Sequence, residues 1–183
     1  DDKLLFRFKP GYATQPPAPA ALDWSEWGGF DKAVEMCNNN GHCRKFDAGT
    51  MCPSYRVTRD EAHLTRGRAN TLRLALSGQL GAGAEQDVKQ ALELCVSCKG
   101  CKRECPTGVD MAKLKAEYLA HKHLTRGADR RSRFLADMPA RLARAARFPR
   151  TFNWITGTAL ARAYAERRFG LDRRIAPPRL ATH

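Results

Sequence analysis

The chain has 183 residues, of which 43% are hydrophobic and 28% charged, and a formal net charge of +13. That length suits one compact domain with extensions. No apolar run approaches the roughly 20 residues a membrane span needs, and no basic segment followed by an apolar one marks a signal peptide. Seven cysteines, an odd count, argue against a secreted disulfide scaffold and for a reducing compartment that leaves thiols available to metal. A cytoplasmic location, with a peripheral place on the inner membrane face as its variant, is the expectation.

In chain order, Leu4, Phe6 and Phe8 alternate with Leu5, Arg7 and Lys9 before Pro16-Pro17-Ala18-Pro19. Residues 1–22 therefore read as an extended N-terminal linker, a short extended piece followed by a stiff tether. Trp24 and Trp27 are expected to pack in the core or an interface. Ala33 to Met36 read as an amphipathic helical turn that delivers Cys37 into a loop. Thr58-x-x-Glu61 has the form of a capping box, opening a helical region through Leu64, Leu72, Leu74 and Leu76 to the stop at Ser77-Gly78. Gly67 is a candidate interruption of it. Gly81-Ala82-Gly83 reads as a flexible joint, and Glu85 to Leu94 as a helix feeding a second cysteine loop. Thr107-x-x-Asp110 then caps a helix that turns Val109, Leu114, Tyr118 and Leu119 inward and ends near Leu124. The helices after the two Cys-Pro pairs are expected to echo each other.

The chemistry lies in the cysteines. Cys95, Cys98, Cys101 and Cys105, followed by Pro106, form C-x2-C-x2-C-x3-C-P. Three thiolates from one tight loop can reach three iron corners of a cubane, while the fourth is carried away to the other cluster of a two-cluster protein. Zinc fits less well, because its structural sites draw ligands from two separated knuckles. Upstream, Cys37, Cys43 and Cys52-Pro53 form a damaged copy, with Asn40 where the middle cysteine would stand. Ala33-Val34-Glu35-Met36-Cys37 matches Ala91-Leu92-Glu93-Leu94-Cys95 at a constant offset of 58 residues, an internal repeat that points to a pseudo-twofold core.

The crossover assigns Cys52, Cys95, Cys98 and Cys101 to one complete 4Fe–4S cluster. Cys37, Cys43 and Cys105 remain for a second, one thiolate short. An amide is a poor substitute for thiolate on iron, so the second centre is a 3Fe–4S cluster or a site-differentiated 4Fe–4S cluster whose odd iron takes water, Asn40, His42 or Asp47. His42 and Asp47 read more simply as solvated loop residues. Eight residues separate Cys43 from Cys52, where three are usual in such a motif. Lys99, Lys102 and Arg103 in the second loop, and Arg44 and Lys45 beside Cys43, are candidates for raising cluster potential. His63, His121 and His123 read as surface or satisfied helix residues.

The charge is concentrated at the C-terminal end. Residues 121–183 hold 15 Lys/Arg against 4 Asp/Glu, so +11 of the +13 sits there. Between Arg130 and Phe169, helical stretches broken at Pro139, Pro149 and Gly157 carry an apolar side of Phe134, Leu135, Leu142, Phe148, Phe152, Trp154, Ile155 and Leu160. Such a tail can bind nucleic acid or an anionic membrane face. No nucleic-acid motif accompanies it, and docking on an acidic neighbour or a solvated face is favoured. No Ser-His-Asp, HExxH, GxGxxG or P-loop pattern occurs, so no catalytic site of the chain's own is expected. The expected fold is all-α, with an N-terminal linker at 1–22, a two-cluster domain at 23–125 and a basic helical extension at 126–183.

Four stretches together resemble one family: Ala33-Val34-Glu35-Met36-Cys37-Asn38-Asn39-Asn40-Gly41, Gly49-Thr50-Met51-Cys52-Pro53-Ser54-Tyr55, Thr65-Arg66-Gly67-Arg68-Ala69-Asn70 and Cys105-Pro106-Thr107-Gly108-Val109-Asp110-Met111. They resemble the central iron–sulfur module of bacterial FAD-linked D-2-hydroxy acid dehydrogenases, acting on D-2-hydroxyglutarate or D-lactate. The resemblance covers residues 20–125 and, more loosely, the tail. It implies an α-helical ferredoxin with two pseudo-symmetric cluster-binding loops, shared with glycolate oxidase iron–sulfur subunits. It also implies FAD on a partner domain or subunit that this sequence does not contain, and a downstream cysteine-rich domain or quinone-side acceptor. The expected function is relay of single electrons from a reduced flavin to an acceptor. The alternative is a non-redox interaction or nucleic-acid-binding protein with a structural cluster.

Overall fold

A computed structural model describes residues 11–182. The alternation at Leu4, Phe6 and Phe8 lies outside them. Ten α-helices and no strand occur among the described residues, in keeping with the all-α expectation. The chain divides into two units, Asp1–His121 and Lys122–His183.

In the first unit, α1 (Phe30–Glu35) delivers the first cysteine loop and α2 (Pro53–Thr58) starts directly after Cys52. The long α3 (Thr65–Leu76) packs against both α1 and α4 (Ala84–Glu93), the helix that delivers the second loop. A short α5 (Gly100–Glu104) carries Cys101, and α6 (Met111–Arg126) follows. The two delivering helices thus share one central partner. Val34, Leu64, Leu72, Val88, Val109, Met111 and Leu114 fill the space between them, each at most 2% exposed. At about 25 cal/mol per Å² of apolar area, this layer is the main apolar support of the loops.

Several local expectations give way to tertiary contacts. Thr58 does not cap a helix at Glu61. It ends α2, donating from Oγ1 to the Ser54 carbonyl (3.1 Å), and Asp60 instead accepts from the Ala62 N–H across a short 3-10 turn. Gly67 does not interrupt α3. A Cβ there would stand 1.9 Å from the Glu61 carbonyl oxygen, so the glycine lets the helix lie against that turn. Gly67→Ala is expected to cost about 3 kcal/mol, the upper range for overpacking, seen as a lower urea midpoint with an unchanged slope.

Asp110, not Thr107, starts α6, its carboxylate accepting from Lys113 N–H at 3.0 Å. The two Cys-Pro pairs consequently lead into helices differently, α2 beginning at Pro53 and α6 five residues after Pro106. Residues 12–24 lie along the first unit. Tyr12 donates to Glu35 (2.9 Å) and Thr14 to Asp31 (2.7 Å). Glu117, fully buried, accepts from Ala21 N–H, Leu22 N–H and Trp24 Nε1 at 2.8, 2.9 and 3.0 Å. Trp24 is core and Trp27 packs on its ring.

The second unit holds α7 (Arg130–Ala136), α8 (Met138–Ala145), α9 (Pro149–Gly157) and α10 (Ala159–Phe169). Its breaks fall at Pro139, Pro149 and Gly157 as the sequence implies, and Gly170 closes α10 in the left-handed region. No described residue of this unit is buried. Phe148, Trp154 and Leu160 are more than two-thirds exposed, so the apolar side read from the sequence is largely open to solvent.

Candidate metal centres

Cys95, Cys98 and Cys101 are presented on a loop that needs two left-handed residues, Ser97 (φ 53°) and Lys99 (φ 59°). The damaged loop repeats this pattern at the same offset, with Asn39 (φ 66°) and Gly41 (φ 77°). Left-handed non-glycine residues are uncommon, and their pairwise recurrence shows that Asn40 occupies the register of Cys98. Asn40 is exposed, its amide N–H donating to Asn38 Oδ1 (2.7 Å) and its Oδ1 accepting the His42 N–H (2.8 Å). These local bonds hold the loop turn where a thiol is missing. His42 and Asp47 are also exposed.

Cys52, Cys95, Cys98 and Cys101 line one cavity together with Thr65, Arg68 and Met111. Cys52 and Cys101 are buried, Cys95 half-buried and Cys98 exposed. Gly100 lets Cys52 approach: a Cβ there would meet Thr50 Cβ at 3.0 Å and Met51 N at 3.2 Å. Glu104 anchors the same segment, its carboxylate accepting from Thr50 N–H (2.5 Å) and Met51 N–H (3.3 Å) and pairing with Lys45 at 3.3 Å. The Thr50 N–H is the main reason its carboxyl is held down at about 2. The long Cys43–Cys52 connection is thereby tied to the helix that carries Cys101.

Burial raises the thiols of Cys52 and Cys101. A hydrogen bond with Thr65 Oγ1 (3.1 Å) opposes this at Cys52, and the Met111 N–H (3.3 Å) opposes it at Cys101. Burial also pushes Cys43 up to about 11, with Cys52 and Cys37 adding to the rise. Cys37 is buried 3.8 Å from Asn39 Oδ1. Cys105, half-buried, packs at the core's edge with its Sγ 3.3 Å from Thr107 Oγ1.

The donor set around the cavity fits an iron–sulfur cluster: four thiols on one cavity, with N–H and O–H groups directed at sulfur. Among the described residues no three His, Cys, Asp or Glu side chains close on a single metal ion. A cubane, whose thiolates bind separate irons, needs a wider cradle.

The basic loop residues are partly answered by acids. Lys99 and Lys102 lie 3.9 and 3.7 Å from Asp110 Oδ2, and Arg44 lies 2.9 Å from Glu61. His63 meets Thr58 Oγ1 at 2.9 Å on the surface. Sequence reasoning missed Arg68, Glu104 and Glu117. Only Arg68 falls in a stretch the resemblance had picked out.

Residues 33–109 match the 4Fe-4S dicluster domain family. Across 90% of its length the chain is 27% identical to D-2-hydroxyglutarate dehydrogenase of Escherichia coli (strain K12), covering 21% of that protein. It is 28% identical over 136 residues to the Pseudomonas putida (KT2440) protein of the same name, 56% of this chain and 13% of that one. Over 67 residues it is 33% identical to the probable glycolate oxidase iron-sulfur subunit of Bacillus subtilis (strain 168), 36% of this chain and 15% of that subunit. The chain spans about a fifth of the length of the dehydrogenases it matches over nine-tenths of itself. No solved structure matches it significantly. The dicluster match and the likeness to iron–sulfur subunits support an electron-transfer role over a non-redox one.

Proposed function

We propose that this chain relays single electrons from a reduced flavin, carried by a partner domain or subunit that oxidises a 2-hydroxy acid, to a downstream acceptor. The observation that carries the reading is the single cavity shared by Cys52, Cys95, Cys98 and Cys101, which brings a cysteine of the first motif to three of the second. These four would hold a 4Fe–4S cluster. Cys37, Cys43 and Cys105 would hold the second centre, 3Fe–4S or site-differentiated 4Fe–4S. When bound, such clusters accept and release one electron at a time. The chain's residues hold the thiolates, exclude water from Cys52 and Cys101, and direct hydrogen bonds to sulfur.

Cys98 and its neighbour Val96 (69% exposed) bring this cavity to the surface, where a partner can approach. The supporting test is iron and sulfide quantitation followed by reduction with a reduced flavoprotein dehydrogenase. Clusters that are reduced by dithionite but never by reduced flavin would sink the flavin partner.

The basic second unit serves assembly in this reading. Every buried residue among those described lies from Trp24 to Glu117, and residues 121–183 carry +11 with no cysteine. Deleting residues 129–183 leaves α6 whole. It is expected to preserve iron content while slowing electron transfer from the flavoprotein. In the intact chain, that transfer should weaken as salt rises beyond about 0.15 M, where the Debye length falls below about 8 Å. Clusters lost with the tail would place it in the core, and tight salt-sensitive DNA binding would favour the nucleic-acid reading. An acceptor in an anionic membrane face remains compatible with this surface. No helix among the described residues is long and apolar enough to cross a membrane.

A further inference from the structure

Arg68 is only 2% exposed. Its Nε donates to the Ala91 carbonyl at 2.7 Å and its Nη2 to Ser54 Oγ at 2.8 Å. Ala91 lies on α4, which leads to Cys95, and Ser54 lies in the first turn of α2, just after Cys52. Arg68 therefore spans the supports of both cysteine segments and lines the cavity they share. Thr65, three residues earlier on α3, bonds to Cys52 Sγ. Residues i and i+3 lie on one helix face, so this face of α3 is turned to the thiols. Its two hydrogen-bond partners, the Ala91 carbonyl and the Ser54 hydroxyl, are neutral, and none of the ion pairs among the described residues includes it. The buried carboxylate of Asp110 faces Lys99 and Lys102 instead.

A guanidinium removed from water without a counter-charge is costly, and buried charges persist where they are paired. A thiolate-bound cluster is an anion. We propose that Arg68 is the buried counter-charge of the cluster held by Cys52, Cys95, Cys98 and Cys101, and that it raises that cluster's reduction potential. The inference rests on the ligand set proposed above. It moves the tuning charge from the loop lysines, which are exposed and face Asp110, to a side chain on the helix behind the cavity. A fixed cation there favours the reduced, more negative state, and burial spares it the screening that weakens exposed charges.

The test is a potentiometric titration of the cluster-loaded full chain, followed by EPR, for the parent, Arg68→Met and Arg68→Lys. Arg68→Met removes charge while keeping a long apolar stem. It should lower the reduced-to-oxidised ratio at a fixed poise about ten-fold, about 59 mV for one electron. The second cluster should move less. Arg68→Lys should recover most of the shift, or retain a cluster that Arg68→Met loses. An unmoved potential in Arg68→Met overturns the proposal. So does equal behaviour of the two variants, including equal loss of the cluster, because shape and not charge would then be at work. Cys98→Ala serves as the control. If the signal assigned to this cluster survives there, the ligand set itself is overturned, whereas a signal lost there but unmoved in Arg68→Met overturns the Arg68 proposal alone.

Discussion

Replacing Cys98 with alanine is expected to remove about half of the protein's iron, the share of one cubane in a two-cluster protein, with the matching visible absorbance. Of the four thiols on the shared cavity, Cys98 is the exposed one. Its loss leaves no hole in the apolar core, unlike the loss of Cys52 or Cys101, where a cavity penalty would add to any loss of metal. A change at Cys98 therefore reads out ligation rather than packing. Cluster binding in such domains contributes folding free energy, so the variant should also melt at a lower temperature. A soluble Cys98→Ala protein with unchanged iron and absorbance would remove Cys98 from the ligand set.

Asn40→Cys should have the opposite effect at the other loop. The backbone there already holds the turn of an intact motif, with Asn39 and Gly41 left-handed where Ser97 and Lys99 are. A thiol at position 40 would thus be presented without rebuilding the loop. The change gives up the bonds from His42 N–H to Asn40 Oδ1 and from Asn40 Nδ2 to Asn38 Oδ1, each worth about 1 kcal/mol, which thiolate coordination to iron should more than offset. If the parent carries a 3Fe–4S centre, its oxidised EPR signal near g of about 2.0 should vanish in Asn40→Cys. The iron content should rise by about one atom per chain as the corner fills. Two all-thiolate cubanes in the parent, or no second cluster in either protein, would refute the missing-corner reading.

The damaged motif was legible because a cysteine loop is a local object: its spacing, its Cys-Pro end and its preceding helical turn recur at a constant offset. The left-handed residues at positions 39, 41, 97 and 99 carry the same repeat into the backbone. The helices fared similarly. Gly78 and Gly170 end theirs, and Pro139 and Pro149 start theirs, because these residues act on their own φ or N–H wherever the chain goes. Thr58 and Thr107 show the limit. Each has a capping pattern in sequence, yet at each the backbone found another use for the hydroxyl, toward the Ser54 carbonyl and beside Cys105 Sγ.

What the sequence by itself determined is the chemistry and its carriers: seven thiols in two related loops on a helical frame, an asparagine at position 40 where the repeat calls for cysteine, and a basic C-terminal third. Only the tertiary structure decided which groups answer one another over long separations. Glu117 meets Trp24 across 93 residues and Glu104 meets Thr50 across 54. Arg68 meets Ala91 across 23 residues, beside a cavity assembled from both motifs. Nothing periodic marks such residues, since a charged side chain on a helix reads as solvated until packing removes the water. The same reason works in reverse for Phe148, Trp154 and Leu160. Their sequence pattern gives an apolar side, yet they stay exposed, because burial depends on what the rest of the chain brings against them, and no described residue of the second unit is buried.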